Sequence, residues 1–294
     1  MLYVVQQLVN ALSVGGVYAL VAVGFALVYS ILKFSNWSHG AVIMLSSYAG
    51  FVLARYVRLP LVPTLLLTMV VGGFLAVIIE MIAFRQIRLK NGPLIYFFVT
   101  SITVSTGAQF LMYATIGGDF YRWPDLIATN SFQIWGISFS TLNIVTAGTC
   151  LLGLLILNLV LFHTRIGMAI RAASNDMRAA ALMGVDINFV ISATFFLSGA
   201  LGGIAGTLLG IAYTTYPEMG AESMVKGFIA AVVGGLGSIS GAVVGGVLLA
   251  VIETLVTMTP IGSAAAPVVV FVVLLVVLFV RPWGIAGKAT DEKA

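Results

Sequence analysis

The run Val268-Val-Val-Phe-Val-Val-Leu-Leu-Val-Val-Leu-Phe-Val280 places thirteen apolar residues in succession. It is longer than the alternating strand of an outer-membrane barrel, and it fits within the roughly 20 apolar residues of a membrane-spanning helix. The whole 294-residue chain has the same character, with 61% hydrophobic and 8% charged residues, whereas about a quarter of residues are charged in soluble domains. The sequence therefore predicts an all-α polytopic membrane protein.

Hydropathy predicts nine spans, within an expected range of about 8–10 transmembrane helices. The second and seventh spans are short and are flanked by glycine or polar residues, which is typical of helices that are broken within the membrane or re-enter it. No linker or second domain is indicated, so we expect one membrane domain over residues 1–294. The predicted spans are 9–32, 41–57, 62–84, 94–114, 141–162, 187–213, 223–236, 240–258 and 264–281.

The distribution of basic residues predicts the orientation. The chain has 14 Lys and Arg against 10 Asp and Glu, an excess that basic cytoplasmic loops explain better than nucleic-acid binding does. One arrangement of the nine spans leaves only four basic residues outside, namely Arg55, Arg58, Arg122 and Lys226. It predicts a multi-pass plasma-membrane protein with an external N-terminus and a cytoplasmic C-terminus.

Residues 165–186 interrupt the apolar pattern with three Arg, two Asp and one Asn, among residues that favour helix. We expect a short helix outside the bilayer, and it is the largest ordered element that the membrane leaves free to bind a soluble partner.

Two polar segments are candidates for a translocation path. Asn36, Ser38 and His39 lie between the first two spans, and Thr100, Ser101 and Thr103 lie within the fourth. Polar groups at membrane depth persist where they are buried in protein or face water. The alternatives are a polar interfacial turn around His39 and hydroxyls that bond to the preceding turn of their own helix.

Two acidic residues lie within or near predicted spans, and intramembrane charge indicates function by default. For Glu80 we favour a structural pairing with Arg85 or Arg88. Glu253 has no basic residue nearby in sequence and is the better candidate for a cavity.

Glycines spaced four apart favour close helix packing over pore lining. The sets are Gly199 and Gly203; Gly202, Gly206 and Gly210; and Gly237, Gly241 and Gly245.

The connection 116–141 contains Trp123 and Trp135 and is predicted to lie on the outer membrane surface. Interfacial anchoring by these tryptophans is the favoured interpretation, and contact with a soluble binding protein is the alternative.

Catalytic and metal-binding signatures are missing from the sequence. There is no phosphate-binding loop, and the two histidines, His39 and His163, lack metal-ligand spacing. We expect no catalytic residue, no metal site and no cofactor in this chain.

Several stretches together resemble the permeases of branched-chain amino acid ABC importers of the LivH type, with urea and amide permeases as close relatives. The similarity covers nearly the whole chain. This sequence departs from the family pattern directly after the His-Gly pair, where the family often has an acidic residue and this chain has Ala41. The similar stretches are Gly16-Val-Tyr-Ala-Leu20 with Gly24, Asn36-Trp-Ser-His-Gly40 before Met44-Leu45, Arg165 to Gly184, Ser198-Gly-Ala-Leu-Gly-Gly-Ile-Ala-Gly206, and Gly227-Phe-Ile-Ala-Ala-Val-Val-Gly-Gly-Leu-Gly-Ser238.

The resemblance implies an ABC importer permease fold in which 165–186 is the coupling helix. Expected partners are a homologous permease subunit of LivM type, two ATPase subunits that bind ATP and Mg²⁺, and an extracytoplasmic binding protein, all at a bilayer. The expected ATPase-coupling residues are Arg171, Asn175, Arg178, Ala179, Ala180, Leu182 and Gly184.

Two other classes stay open at this point. An ion-coupled secondary transporter would use Glu253 as its protonatable group, and an assembly subunit would have no pathway of its own. The sequence also leaves open whether the solute is a branched-chain amino acid, an amide or urea, and whether the permease pairs with itself.

Overall fold

The computed structural model describes residues 2–127, 130–134, 137–259 and 262–287. Twelve α-helices make up most of this part of the chain, and a π-helical segment, Glu80–Phe84, joins the third to the fourth. They are α1 (Leu2–Leu32), α2 (Ser38–Arg55), α3 (Leu61–Ile79), α4 (Arg85–Leu89), α5 (Leu94–Thr115), α6 (Thr141–His163), α7 (Arg165–Asn175), α8 (Met177–Leu182), α9 (Ile187–Ala212), α10 (Met219–Gly234), α11 (Ile239–Thr257) and α12 (Ala266–Val280).

The predicted all-α membrane architecture is confirmed. Each of the nine predicted spans coincides with a helix, and α2 and α10 are the two that do not meet the length and hydropathy expected of a complete crossing. Seven helical segments in the described residues do meet them: Val4–Leu32, Leu61–Leu89, Leu94–Thr115, Thr141–His163, Ile187–Ala212, Ile239–Thr257 and Gly262–Val280.

α2 and α10 begin inside the bundle. His39, in the first turn of α2, is buried and lies against Gly24 of α1 and Gly202 of α9. The N-terminal turns of α2 and α10 meet, since a Cβ on Gly40 would stand 2.7 Å from the carbonyl oxygen of Gly220. Because α2 and α10 begin inside the bundle, their apolar segments in the sequence are shorter than those of complete spans.

The core forms around α1 and α9, the two most buried spans. Close backbone approach is possible because glycines occupy the crossings. Gly203 lies against Thr68 of α3, Gly206 against Ile43 of α2, and Gly245 against Ala230 of α10. Gly241 likewise meets the backbone of Gly234. A side chain at these positions would force the helices apart.

Gly237 is an exception among the glycines predicted to pack. It precedes α11 and has a φ of +83°, in the left-handed region that favours glycine. A Cβ there would meet other atoms only at 3.8 Å or more. Gly237 therefore makes a turn, and the packing face on α11 begins at Gly241.

Two connections mark opposite ends of the bundle. The α5–α6 connection contains an antiparallel hairpin, β1 (Ser131–Ile134) and β2 (Ile137–Ser140), with Ser131 opposite Ser140. Gln6 bonds to the backbone of Ser138, so the beginning of α1 lies at this end. α6 leads away from the hairpin, and α7 and α8 therefore lie at the other end.

Residues 165–186 form two helices, and the prediction of one helix is wrong. Asp176 is extended, with φ −150° and ψ 108°, and its carboxylate accepts hydrogen bonds from the backbone N–H groups of Arg178 (2.8 Å) and Ala179 (2.9 Å). An aspartate that caps a new helix competes with continuation of the previous one. The chain therefore breaks between α7 and α8.

Candidate functional site

A cavity of about 660 Å³ opens at the hairpin end of the bundle, between α1, α10, α11 and the end of α9. Its wall is mixed, with aliphatic and aromatic carbon beside several hydroxyl and charged groups. Its size lies in the range of small-molecule sites, roughly 300–1,000 Å³. The lining residues are Val14, Tyr18, Phe120, Leu209, Tyr213, Thr214, Tyr216, Met219, Glu222, Ser223, Lys226, Ala250, Glu253, Thr254 and Thr257.

An ion pair stands in the wall of this cavity. The Lys226 ammonium lies 2.6 Å from Oε1 of Glu253 and donates to the Tyr18 hydroxyl at 2.7 Å. That hydroxyl donates to Oε2 of Glu253, also at 2.7 Å. The three side chains, from α10, α11 and α1, therefore form a closed polar triangle.

The prediction that Glu253 faces a cavity agrees with this placement, but sequence reasoning missed its partners. The charge distribution predicted Lys226 on the outer face but gave it no partner, and the structure places it within α10 in contact with Glu253. One signal was available, because Lys226 falls inside the predicted span 223–236. Two opposite charges in separate spans are expected to pair.

The second feature is the pair of helices α7 and α8, outside the spans at the opposite end. α7 is held by its buried face, which includes Ile170 and Ala173. α8 instead presents large apolar side chains outward: Leu182 is 89% exposed and Met183, which follows the helix, is 84% exposed. Exposed apolar residues of this size, grouped outside the candidate membrane spans, are typical of a protein-binding surface.

The comparison with known proteins assigns the family. Residues 7–279 match the family described as branched-chain amino acid transport system / permease component. The chain belongs to this permease family.

Named relatives support the same assignment over nearly full length. The high-affinity branched-chain amino acid transport system permease protein LivH of Salmonella typhimurium is 33% identical, covering 99% of this chain and 98% of its own. BraD of Pseudomonas aeruginosa, with the same description, is 34% identical, covering 98% and 97%. A probable LivH of Methanocaldococcus jannaschii is 26% identical, covering 95% and 91%. No solved structure gives a significant match.

In the permease, the seven residues expected to couple to an ATPase fall into two groups. Asn175, Arg178, Ala179 and Leu182 are exposed, and so is Gly184, which has a φ of +85°. Two others face their own chain. Ala180 is 5% exposed and belongs to the core, and the Arg171 guanidinium binds the Leu161 carbonyl and lies 5.0 Å from the centre of the Phe162 ring. Ala180 therefore faces the core, and the half-buried Arg171 ties α7 to the end of α6.

The polar turn before α2 is buried in the permease. Oδ1 of Asn36 accepts hydrogen bonds from the backbone N–H (3.2 Å) and the hydroxyl (2.6 Å) of Ser38. Ser101 links α5 to this turn, because its hydroxyl accepts from the Trp37 N–H at 3.1 Å. Asn36, Ser38, His39 and Ser101 are all buried, and Asn36 and Ser38 satisfy each other within the turn.

The other two path residues of α5 are placed differently. Thr100 is half-buried, and Thr103 is exposed with its hydroxyl bonded to the Val99 carbonyl at 3.0 Å. None of the six path residues before Glu253 lines the cavity described above. The structure therefore does not bring the seven predicted path residues together.

Glu80 takes the structural role that was predicted for it. Its carboxylate is fully buried, at 0% exposure, and bonds to Arg88 at 2.8 Å and to the Ser192 hydroxyl at 2.9 Å. Arg85 lies 3.9 Å away. The predicted pairing is confirmed, and it ties the π-helical segment to α9.

The interfacial role predicted for Trp123 is wrong. Its side chain is buried against Phe51, and its indole N–H donates to the Thr215 hydroxyl at 2.8 Å. Tyr121 pairs with Thr215 through backbone hydrogen bonds, which brings this loop over the end of α9. Trp135 lies outside the described residues.

Proposed function

We propose that this chain is the membrane-spanning permease subunit of an ATP-driven ABC importer, which translocates branched-chain amino acids or related small amides or urea. The LivH and BraD relatives carry names of branched-chain amino acid transport permeases. This chain supplies one half of the pathway, and a homologous permease subunit supplies the other. It lies in the bacterial inner membrane with its C-terminus in the cytoplasm.

One observation supports this function most strongly. α9 is a single helix of 26 residues that follows α8 after only four residues and reaches the cavity at Leu209. At 1.5 Å per residue, such a helix spans about 39 Å. A displacement of α8 by a soluble partner is therefore transmitted along a rigid element to the cavity wall.

We assign the partner at α8 as one of two ATPase subunits. Leu182 and Met183 insert into an apolar groove, while Arg178 pairs with acidic groups at its rim, in the usual arrangement of an apolar interface centre with a polar margin. ATP and Mg²⁺ are bound by those subunits. At the opposite end, an extracytoplasmic binding protein delivers the solute to the cavity.

Purification of the tagged chain in mild detergent from its native host tests this proposal. We expect two ATPase subunits and a second permease subunit to co-purify. Ala179→Glu, which adds charge and bulk to the exposed face of α8, is expected to lose the ATPase subunits. Asn130→Glu, an exposed position at the hairpin end, is the matched control and is expected to retain them.

Transport in vesicles completes the test. Uptake is expected to require ATP and the loaded binding protein. A chain that purifies alone and transports on a proton gradient without ATP would contradict the proposal and favour a secondary transporter.

A further inference from the structure

Two acidic side chains meet basic partners in the described part of the bundle, and their surroundings differ. The Glu80 carboxylate is sealed, with 0% of its side chain exposed. The Lys226–Glu253 pair is open to the cavity, since 34% of the lysine side chain and 19% of the glutamate side chain remain exposed. Only the second pair is accessible to a solute.

The open pair is also incompletely bonded. An ammonium group has three donors, and the structure gives Lys226 two acceptors, the Tyr18 hydroxyl and the Glu253 carboxylate. The third donor is free for a ligand. Both charges stand in a cavity whose wall also contains the apolar side chains Val14, Leu209 and Ala250.

We propose that Lys226 and Glu253 bind the charged end of an α-amino acid within the pathway by exchanging their mutual ion pair for contacts with the solute. This inference rests on the proposed function. The solute carboxylate binds the Lys226 ammonium, and the solute ammonium binds the Glu253 carboxylate. The aliphatic side chain of the solute lies against the apolar part of the cavity wall.

Charge balance makes this exchange specific for zwitterions. A zwitterion presents one charge of each sign, so both protein charges remain paired after it binds. A solute with a single charge that displaced the pair would leave Lys226 or Glu253 without a partner, and loss of the counter-charge is unfavourable for a group that is only partly exposed to solvent. An uncharged amide offers hydrogen bonds only, which are weaker than charge-assisted ones.

Tyr18 is the positioning residue of this site. Its hydroxyl contacts both charged groups, at 2.7 Å each, and its ring lies 5.1 Å from the lysine ammonium. It keeps the two charges side by side when the solute leaves.

Leucine uptake by the complete transporter, reconstituted in liposomes with its binding protein, tests the assignment. The double variant Lys226→Met with Glu253→Gln removes both charges and leaves neither unpaired. We expect the ATPase subunits still to co-purify with this variant, while leucine uptake falls by about tenfold or more because the charge-assisted contacts are lost. The single variant Lys226→Arg keeps the ion pair and is expected to retain most of the wild-type uptake.

Glu218→Gln is the matched control. Glu218 is a half-buried carboxylate near the start of α10 that does not line the cavity, and its replacement is expected to leave uptake unchanged. The assignment would be overturned if the double variant took up leucine within about twofold of wild type. A change that small is below the effect of losing one charge-assisted contact. Failure of the wild-type complex to transport leucine with ATP would instead refute the proposed function.

A second measurement avoids dependence on the folding of a variant. In the wild-type complex, acetylation of Lys226 by an amine-reactive reagent is followed by mass spectrometry, with exposed Lys33 as the internal reference. Saturating leucine is expected to lower labelling of Lys226 relative to Lys33, whereas 4-methylpentanamide, which carries neither charge, is not. Equal labelling with leucine and with the amide would overturn the proposal.

Discussion

Replacement of Leu182 by glutamine provides a direct test of α8 as the docking element. Leu182 is 89% exposed in the isolated chain, so its side chain contributes little to the fold, and we expect the free energy of unfolding to change by less than about 0.5 kcal/mol. Glutamine has a similar length and a good helix propensity. The substitution therefore changes the surface of α8 without disturbing the helix.

The expected loss of binding follows from the burial of Leu182 in the partner. Full burial of a leucine side chain stabilises a complex by about 1.5–3 kcal/mol, and an amide left unpaired in an apolar groove costs about a further 1–3 kcal/mol. Taking about 3 kcal/mol as a working value, the dissociation constant of the ATPase subunit rises by about 100-fold.

The assay is a titration of the purified chain in nanodiscs with the purified ATPase subunit. Leu182→Met is the control, because it keeps an apolar side chain of similar volume and is expected to bind within about tenfold of wild type. Wild-type affinity of Leu182→Gln, with unfolding also unchanged, would refute the placement of α8 in the groove. A variant that loses binding and unfolds at lower temperature would refute the claim that Leu182 is free of the fold.

Three further predictions concern the bundle itself. Arg88→Met leaves the buried Glu80 carboxylate without its 2.8 Å partner and is expected to lower the free energy of unfolding by about 3–5 kcal/mol; denaturant unfolding in detergent measures it, and a change below about 1 kcal/mol would contradict a buried ion pair. Gly199→Ala places a methyl group 2.5 Å from the Cβ of Ala76 and is expected to lower the free energy of unfolding by about 1–3 kcal/mol. Gly148→Ala, which has open space around it, is the control and is expected to be neutral or stabilising. Equal melting temperatures for the two variants would contradict the close α3–α9 contact. Asp176→Ala removes the cap of α8 and is expected to cost about 1 kcal/mol of local stability, seen as faster amide exchange at Arg178 and Ala179 with unchanged exchange in α9.

Local sequence features predicted much of the architecture. The nine apolar segments each became a helix, and the two short ones, α2 and α10, are the two that begin inside the bundle. These predictions succeeded because hydropathy over about 20 residues reflects the bilayer directly. The pairing of Glu80 could also be predicted from the sequence, because Arg85 and Arg88 follow it closely along the chain.

Predictions that depended on distant contacts were less successful. Trp123 suggested an interfacial anchor, but Thr215, 92 residues further along the chain, accepts its indole hydrogen bond. Hydroxyls in α5 suggested a path, yet Ser101 bonds to the turn before α2 while Thr103 bonds to its own helix. Composition does not distinguish a polar group that faces a cavity from one that is satisfied nearby.

The sequence by itself determined the membrane class, the helical segments and the separation of residues 165–186 from the apolar spans, because each of these follows from hydropathy and charge over one turn or one span. Only the tertiary structure decided that Lys226, Glu253 and Tyr18 meet at one cavity, that Ala180 faces inward while Leu182 faces outward, and that α9 connects the two regions. Tyr18 and Glu253 are 235 residues apart. Their proximity depends on how α1, α10 and α11 pack, and that packing is set by close backbone contacts at glycines rather than by any pattern within a single helix.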